Sequence, residues 1–399
     1  MKSLFQYRQI DDVVLDVTTW NPVRDGHEQL IRYIDLSSVD QDTKVIHPKE
    51  PIVAREAPSR ARQLVQAGDV LVSTVRPNLN GVAMVDENLD GATASTGFCI
   101  LRPQKEDLDR SYLFHWVKTP DFISDMVRKA TGASYPAVSD RIILESKIPL
   151  PSIAQQKRIA AILDQAEELR GLRRQALGAL DAIAQSIFLE MFGDVGEATR
   201  YPIHPLESLL EKPLQNGAYF PKDFYVESGG VEMVHMSDAF YEVVSRGNLK
   251  QVACTDEECK KYSLTEKDLL IARRSLNYEG AAKACLVPPS STALIFESSF
   301  IRITPDPEKI SVLFLFHYFS NERVRQRYIR PFVTQSTISG INQSNLARVS
   351  VIMPPLPLQQ EFSRRVEAIE QLKTTHRQSL TQLDALFASL QHRAFRGEL

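Results

Sequence analysis

The stretch Ile148-Pro149-Leu150-Pro151-Ser152-Ile153-Ala154-Gln155-Gln156 returns, loosely but recognisably, as Ile352-Met353-Pro354-Pro355-Leu356-Pro357-Leu358-Gln359-Gln360. Each copy opens a long amphipathic segment. Aligning Gln155 with Gln359 gives an offset of 204 residues, and Leu180-Asp181 recurs as Leu383-Asp384 at 203. A register held over a whole segment predicts a tandem duplication in which each half ends in a long helix.

Prolines cannot sit inside a helix, so both copies read as helix entrances. In the first, Ser152 is set to cap, with Gln155 three residues on to complete a capping box. Leu356 is read as the counterpart of Ser152, so the second helix lacks that cap. Apolar residues then recur in steps of three and four: Ile159, Ile162, Ala166, Leu169, Leu172, Ala176, Leu180, Ile183, Ile187 and Met191. The second helix repeats the rhythm through Phe362, Val366, Ile369, His376, Leu380, Leu383, Phe387, Leu390 and Ala394. This spacing is the seam of a coiled coil. Gly193 and Gly397 stand where C-terminal glycine caps belong. Gly171 and Gly178 lie inside the first helix, where either close approach of a partner helix or mere tolerance of glycine would explain them. Each helix should be roughly 55 Å long at 1.5 Å per residue. Chain order makes the two helices antiparallel, with a globular block near each end and Leu399 returning towards Met1.

The blocks are repeats too. Gly68-Asp69-Val70-Leu71-Val72-Ser73 matches Lys267-Asp268-Leu269-Leu270-Ile271-Ala272 as a turn entering a strand. Phe98 to Arg102 matches Phe300 to Ile303, and the segment from Tyr112 to Lys118 matches that from Leu313 to Phe319. The expected fold class is α+β: two mixed α/β domains separated by two long antiparallel coiled-coil helices, a pseudo-two-fold tandem repeat. The boundaries fall at 1–150, 151–198, 199–352 and 353–399.

Composition narrows the function. A chain of 399 residues with 43% apolar and 24% charged residues is ordinary for a globular protein of two or three domains. No apolar run is long enough to cross a bilayer, and the first residues do not read as a signal peptide. Cys99, Cys254, Cys259 and Cys285 show no C-x-x-C spacing, so scattered thiols in a reducing cytoplasm are expected rather than disulfides or a metal site. A net charge of −3 neither supports nor excludes a nucleic-acid partner; binding by bulk electrostatics alone would call for a strongly basic chain, so any DNA contact must use local positive charge or charge supplied in part by a partner. There is no G-x-G-x-x-G and no P-loop. Asn21-Pro22-Val23-Arg24 lacks the aromatic residue of an amino-methyltransferase motif. Glu258-Cys259-Lys260 has the Glu-x-Lys spacing of some nucleases but no paired upstream Asp.

A rod with similar modules at its ends suits a target with two separated sites, and duplex DNA offers these on one face every 34–36 Å or so. The sequence resembles the DNA-specificity subunit of type I restriction-modification systems. The resemblance rests on Tyr33 to Asp40, Gly68 to Leu79, Ser95 to Phe98, the Pro149 to Leu163 junction, Phe192-Gly193-Asp194, Gln215-Asn216-Gly217 and the Pro354 to Gln360 junction. It implies two target-recognition domains reading the halves of a bipartite asymmetric site. It implies helical spacers that dock two adenine-N6 methyltransferase subunits, with restriction/translocase subunits joining outside. S-adenosylmethionine, ATP and Mg2+ would then belong to those partners, and this chain would be non-catalytic with no cofactor or metal of its own.

Arginine reads guanine, and Asn or Gln reads adenine, through paired hydrogen bonds. Arg76, Asn78 and Asn80 sit in a loop between two strands, and Arg273, Arg274, Asn277 and Tyr278 form its counterpart. Ser134 and Tyr135 in the first block, and Gln335, Ser336 and Thr337 in the second, are polar loops suited to phosphates. Arg60 and Arg62 form a small basic spot. Asn216, Tyr219 and Lys222 lie in a Gly- and Pro-punctuated loop. Two other classes remain open at this stage: a coiled-coil protein scaffold, which should show apolar patches in place of Arg/Asn loops, and a fused methylation enzyme, which the missing motifs disfavour.

Overall fold

The computed structural model describes residues 5–195, 200–239, 243–276, 278–335 and 338–399. The chain forms two compact units, residues 1–175 with 377–399 and residues 176–376. Four helices organise them: α1 (Arg110–Val117), α2 (Ile153–Phe192), α3 (Val312–Ser320) and α4 (Leu356–Ala394). Among the described residues no helix is long and apolar enough to cross a membrane.

The first unit is built on a four-stranded sheet of β1 (Val14–Leu15), β2 (Val70–Ser73), β3 (Val82–Met84) and β4 (Phe98–Pro103), in the order β1-β4-β2-β3. Neighbouring strands are antiparallel, with Phe98 opposite Ser73 and Val72 opposite Val82. Successive strand residues face opposite sides, and here both sides are covered. Val70, Val72, Val82, Cys99 and Leu101 join the core that contains α1. Leu71, Ala83, Phe98 and Ile100 join a second core with Ile34, Val39 and Val65. The strands therefore read as continuous apolar runs rather than as an alternation. Asp69 fixes the turn entering β2: it accepts from the Gln66 amide at 2.8 Å and pairs with Arg102 through two bonds of 2.9 and 2.8 Å.

The second unit repeats this plan. Its sheet is β5 (Leu210–Asn216), β6 (Leu269–Ala272), β8 (Ala284–Leu286) and β9 (Phe300–Pro305), in the order β5-β9-β6-β8; β7 (Arg274–Ser275) pairs instead with β10 (Ser339–Gly340). Leu269, Ile271, Ala284, Ile301 and Ile303 face the core that holds α3, and Leu270, Ala272, Cys285 and Phe300 face the other. Asp268 holds the turn through the Thr265 amide at 2.8 Å and the Thr304 hydroxyl at 2.6 Å. Thr304 thus does here what Arg102 does in the first unit.

The long helices contribute a piece to each unit. In the first, Arg170 of α2 bonds Asp384 of α4 at 2.6 Å and lies 4.5 Å over the Phe387 ring. In the second, Lys373 of α4 bonds Asp181 of α2 at 2.7 Å, and Arg365 approaches Glu190 at 3.8 Å. The falling number on one helix against the rising number on the other makes the pairing antiparallel. The capping box forms: the Gln155 amide donates to Ser152 Oγ, and Gln155 Oε1 accepts from the Ser152 amide and hydroxyl. Gly193 has φ of +77° and its amide donates to the Leu189 carbonyl.

Three readings need correction. The seam of α2 runs through Gln156, Ile159, Leu163, Ala166, Ala184, Phe188 and Phe192, all buried. Leu169, Leu172 and Ile183, assigned to it by apolarity, are 46–53% exposed. The polar Arg170 takes the seam position because its stem packs while its head finds Asp384 and Glu167. The glycines do not mark close helix approach, since a Cβ on Gly171 or Gly178 would meet nothing within 4 Å. Cys254 and Cys259, expected as separate thiols, are joined in a disulfide beside the short helix Asp256–Tyr262.

Candidate DNA-contact loops

In the first unit, Arg76 to Asn80 forms the connection from β2 to β3, with a tight turn at Pro77–Leu79. Arg76 and Asn80 both have left-handed backbones, φ +50° and +46°. Non-glycine residues adopt that conformation at a cost, so surrounding contacts must hold it. The Arg76 amide donates to the Pro136 carbonyl at 2.7 Å, and Lys44 Nζ donates to the Asn80 carbonyl at 2.6 Å. Burial lowers the Lys44 pKa, against the pull of Asp42 and Asp40.

These bonds bring the two sequence-identified loops together. The Arg76 guanidinium lies 4.7 Å from the centre of the Tyr135 ring, a cation–π stack on a ring that is 69% exposed. Asn78, Ser134 and Tyr135 are exposed, whereas Asn80 is partly buried. Arg60 is exposed and tied to the same end of the unit: its carbonyl accepts from the Thr96 amide, and the adjacent Gly97 carbonyl accepts from Thr74. Arg62 is partly buried and donates to the Ala61 carbonyl.

The second unit makes the same juxtaposition with different residues. β7 pairs antiparallel with β10, Arg274 opposite Gly340 and Ser275 opposite Ser339. This sets the 273–278 loop against the 334–340 loop. A Cβ on Gly340 would come within 2.7 Å of the Arg273 carbonyl oxygen, so the close pairing requires glycine there. Arg274 and Gln335 are exposed. Arg273 is partly buried, its amide bonded to the Ser299 carbonyl and its side chain reaching the Ser298 carbonyl. Ser298 in turn donates to the Ala218 carbonyl, which brings in the neighbouring Tyr219, 81% exposed. Tyr278 is turned inward: its hydroxyl donates to the Arg330 carbonyl at 3.1 Å. Asn216 ends β5 opposite Ile301 with its side-chain oxygen buried, so it is not displayed. Lys222 is exposed at the start of the turn Lys222–Phe224. Asn277, Ser336 and Thr337 lie outside the described residues.

Two features went unread in the sequence. Lys44 braces the first loop from 36 residues away. Arg325, buried in a single wide helical turn, braces the second by donating to the carbonyls of Glu279, Ala281 and Ala282 at 2.8–3.0 Å, and to Phe319. Nothing in the local sequence of either residue signals that role. Among the described residues no cluster of three or more His, Cys, Asp or Glu could hold a metal ion. Glu258, part of the nuclease-like spacing, is committed to a capping box with Thr255. What the two units display is donors and rings, the equipment for recognition.

The sequence profile of the type I restriction modification DNA specificity domain matches residues 36–177 and again residues 203–385. The chain belongs to that family. As a specificity subunit it recognises DNA sequence and is not the catalytic member of such a system. It is 26% identical to the type I restriction enzyme StySPI specificity subunit of Salmonella potsdam, over 76% of this chain and 68% of that protein. It is 24% identical to the EcoKI specificity subunit of Escherichia coli K12, over 95% and 84%. Among solved structures, the S subunit from M. genitalium shares the fold at a TM-score of 0.56, with 14% identity over 98% of this specificity chain and 96% of its own. A chain from work on complex assembly of the type I R-M system aligns at 0.60, with 23% identity over 99% and 98%.

Proposed function

We propose that each globular block reads one half of a bipartite, asymmetric site on double-stranded DNA. One observation carries this reading: the two units mount Arg-bearing loops at the same place on the same sheet, yet the loops differ in sequence. Arg76, Asn78, Ser134, Tyr135 and Arg60 are the contact set of the first half. Arg274, Tyr219, Lys222 and Gln335 are that of the second, with Asn277, Ser336 and Thr337 assigned there by sequence alone. Asn80, Arg62, Arg273, Tyr278 and Asn216 support the loops from within. The long helices fix the half-site separation and dock two adenine-N6 methyltransferase subunits, and restriction/translocase subunits complete the assembly in the cytoplasm. S-adenosylmethionine, ATP and Mg2+ act on those partners.

The test is a block exchange. Replacing residues 1–150 by the corresponding block of a relative, assembling with the methyltransferase and mapping methylated adenines should change one half of the site and leave the other. A change in both halves together would overturn the assignment.

A further inference from the structure

The three most exposed large apolar or aromatic side chains among the described residues are Leu276 at 89%, Tyr219 at 81% and Tyr135 at 69%, and all three stand on the candidate contact loops. Scattered apolar exposure is normal on any protein. Concentration on the loops assigned to DNA is not, and Leu276 is the extreme case. It directly follows β7, two residues after Arg274. Leu276 directly follows Ser275 and Ile338 directly precedes Ser339, its partner across the β7–β10 ribbon, so Leu276 and Ile338, the latter 52% exposed, leave the same end of it. That end of the second unit thus displays two exposed aliphatic side chains near an arginine.

The described segments flanking the tip are held in place. Arg325 holds the carbonyls of residues 279, 281 and 282, Tyr278 is bonded to the Arg330 carbonyl, and β10 holds the other side. A solvent-facing aliphatic side chain gains free energy when a partner covers it. In the DNA major groove, which admits a two-stranded β-ribbon, the C5-methyl of thymine is the distinctive apolar group, and it is read by apolar contact.

We propose that Leu276, with Ile338 at the same end of the ribbon, packs on the C5-methyl of a thymine in the half-site read by the second unit, with Arg274 on a neighbouring position. This rests on the DNA-reading assignment above. The first unit carries Leu79 on its own loop at 40% exposed against 89% for Leu276, so the larger methyl dependence is expected in the second half-site.

The experiment uses the full chain assembled with its methyltransferase subunits on duplexes carrying its mapped site. Each thymine is replaced singly by deoxyuridine, which removes only the methyl. For the native chain one position in the second half-site should lose about three- to fivefold in affinity, the worth of one buried carbon, and the response of positions in the first half should not depend on residue 276. Leu276→Ala should abolish that sensitivity, and Ile338→Ala should reduce it. A second half-site without thymine, uniform indifference to uracil, or full sensitivity retained in Leu276→Ala would overturn the methyl contact while leaving the block exchange intact. A second half-site that does not follow residues 199–352 would overturn the underlying reading instead.

Discussion

Gln156 in the first unit and Gln359 in the second make the same three hydrogen bonds. Each side-chain oxygen accepts from the amide of the residue capping the shorter helix, Asp109 for α1 at 2.9 Å and Ser311 for α3 at 3.0 Å. Each side-chain nitrogen donates to a carbonyl two residues before that cap, Asp107 or Lys309, and to the proline preceding the N-cap of its own helix, Pro151 or Pro354. Both side chains are buried. This one residue ties the end of a domain to the start of a rod.

Replacing either glutamine by alanine strands a buried amide and two carbonyls. The expected cost is about 2–3 kcal/mol for Gln156→Ala or Gln359→Ala. Gln360 is exposed, and its alanine variant should stay within about 0.5 kcal/mol of the native chain. Denaturant unfolding of the three variants measures the difference.

That pair also shows how far the sequence could be read. The duplication, both long helices, the matched strands and the capping box follow from periodicity and turn chemistry, because those signals are local. Sequence similarity pairs Gln155 with Gln359, one residue out; the hydrogen bonds pair Gln156 with Gln359, and Pro355, not Leu356, stands where Ser152 does. The first glutamine of one run and the second of the other are identical letters, and only their burial separates them. The contact loops were legible as positions between strands. Whether a given side chain is displayed, like Arg274, or turned inward, like Tyr278, depends on partners such as Arg330 some 50 residues away, which no local pattern encodes. Arg170 was missed on the seam for the same reason: its place depends on Asp384 and Phe387.

Lys373 is the counterpart of Arg170, 2% exposed, with Asp181 at 2.7 Å and Glu370 at 2.6 Å. Both carboxylates reach solvent. Lys373→Ala loses the packed stem and should cost about 2–3 kcal/mol. Lys373→Met keeps the stem and leaves carboxylates that water can serve, so it should fall within about 1 kcal/mol of the native chain. Equal losses in the two variants, read by urea melts, would show that the charge and not the stem carries the contribution.

Gly171 and Gly178 sit in helix interior with open space where a Cβ would go. Substitution by alanine therefore gains helix propensity without a clash, about 1 kcal/mol for each. A raised melting temperature for both single variants, with a further rise in the double, checks this.

His317 on α3 lies beside Lys373, and burial together with that charge pulls its pKa down from 6.5 to about 4. The folded state therefore binds the proton less readily than the unfolded chain, and stability is lost as pH falls from about 6.5 towards 4. The ring is partly exposed, so the loss at pH 5 should be about 1–2 kcal/mol. His317→Asn should flatten that part of the stability–pH curve. An unchanged slope between pH 7 and pH 5 would assign the acid sensitivity to other groups.

Arg325 offers the sharpest separation of folding from recognition. Its guanidinium is buried, and four carbonyls take its protons, three of them from the leg of the 273–282 loop that follows Tyr278. Ala282 in that leg has φ of +58°, a conformation alanine holds only when the surroundings impose it. Arg325→Met preserves most of the volume but leaves those carbonyls unpaired, so it should cost about 2–4 kcal/mol. Arg325→Lys restores one charged donor but not the fork, and should recover only part. Under conditions where both variants remain folded, the released loop should no longer hold Arg274 and Leu276 in place. Methylation mapping should then show relaxed sequence choice in the second half-site and an unaltered first half, because the first loop is braced by Lys44 instead. Equal relaxation of both halves would mean that the variant acts through global stability and not through the loop.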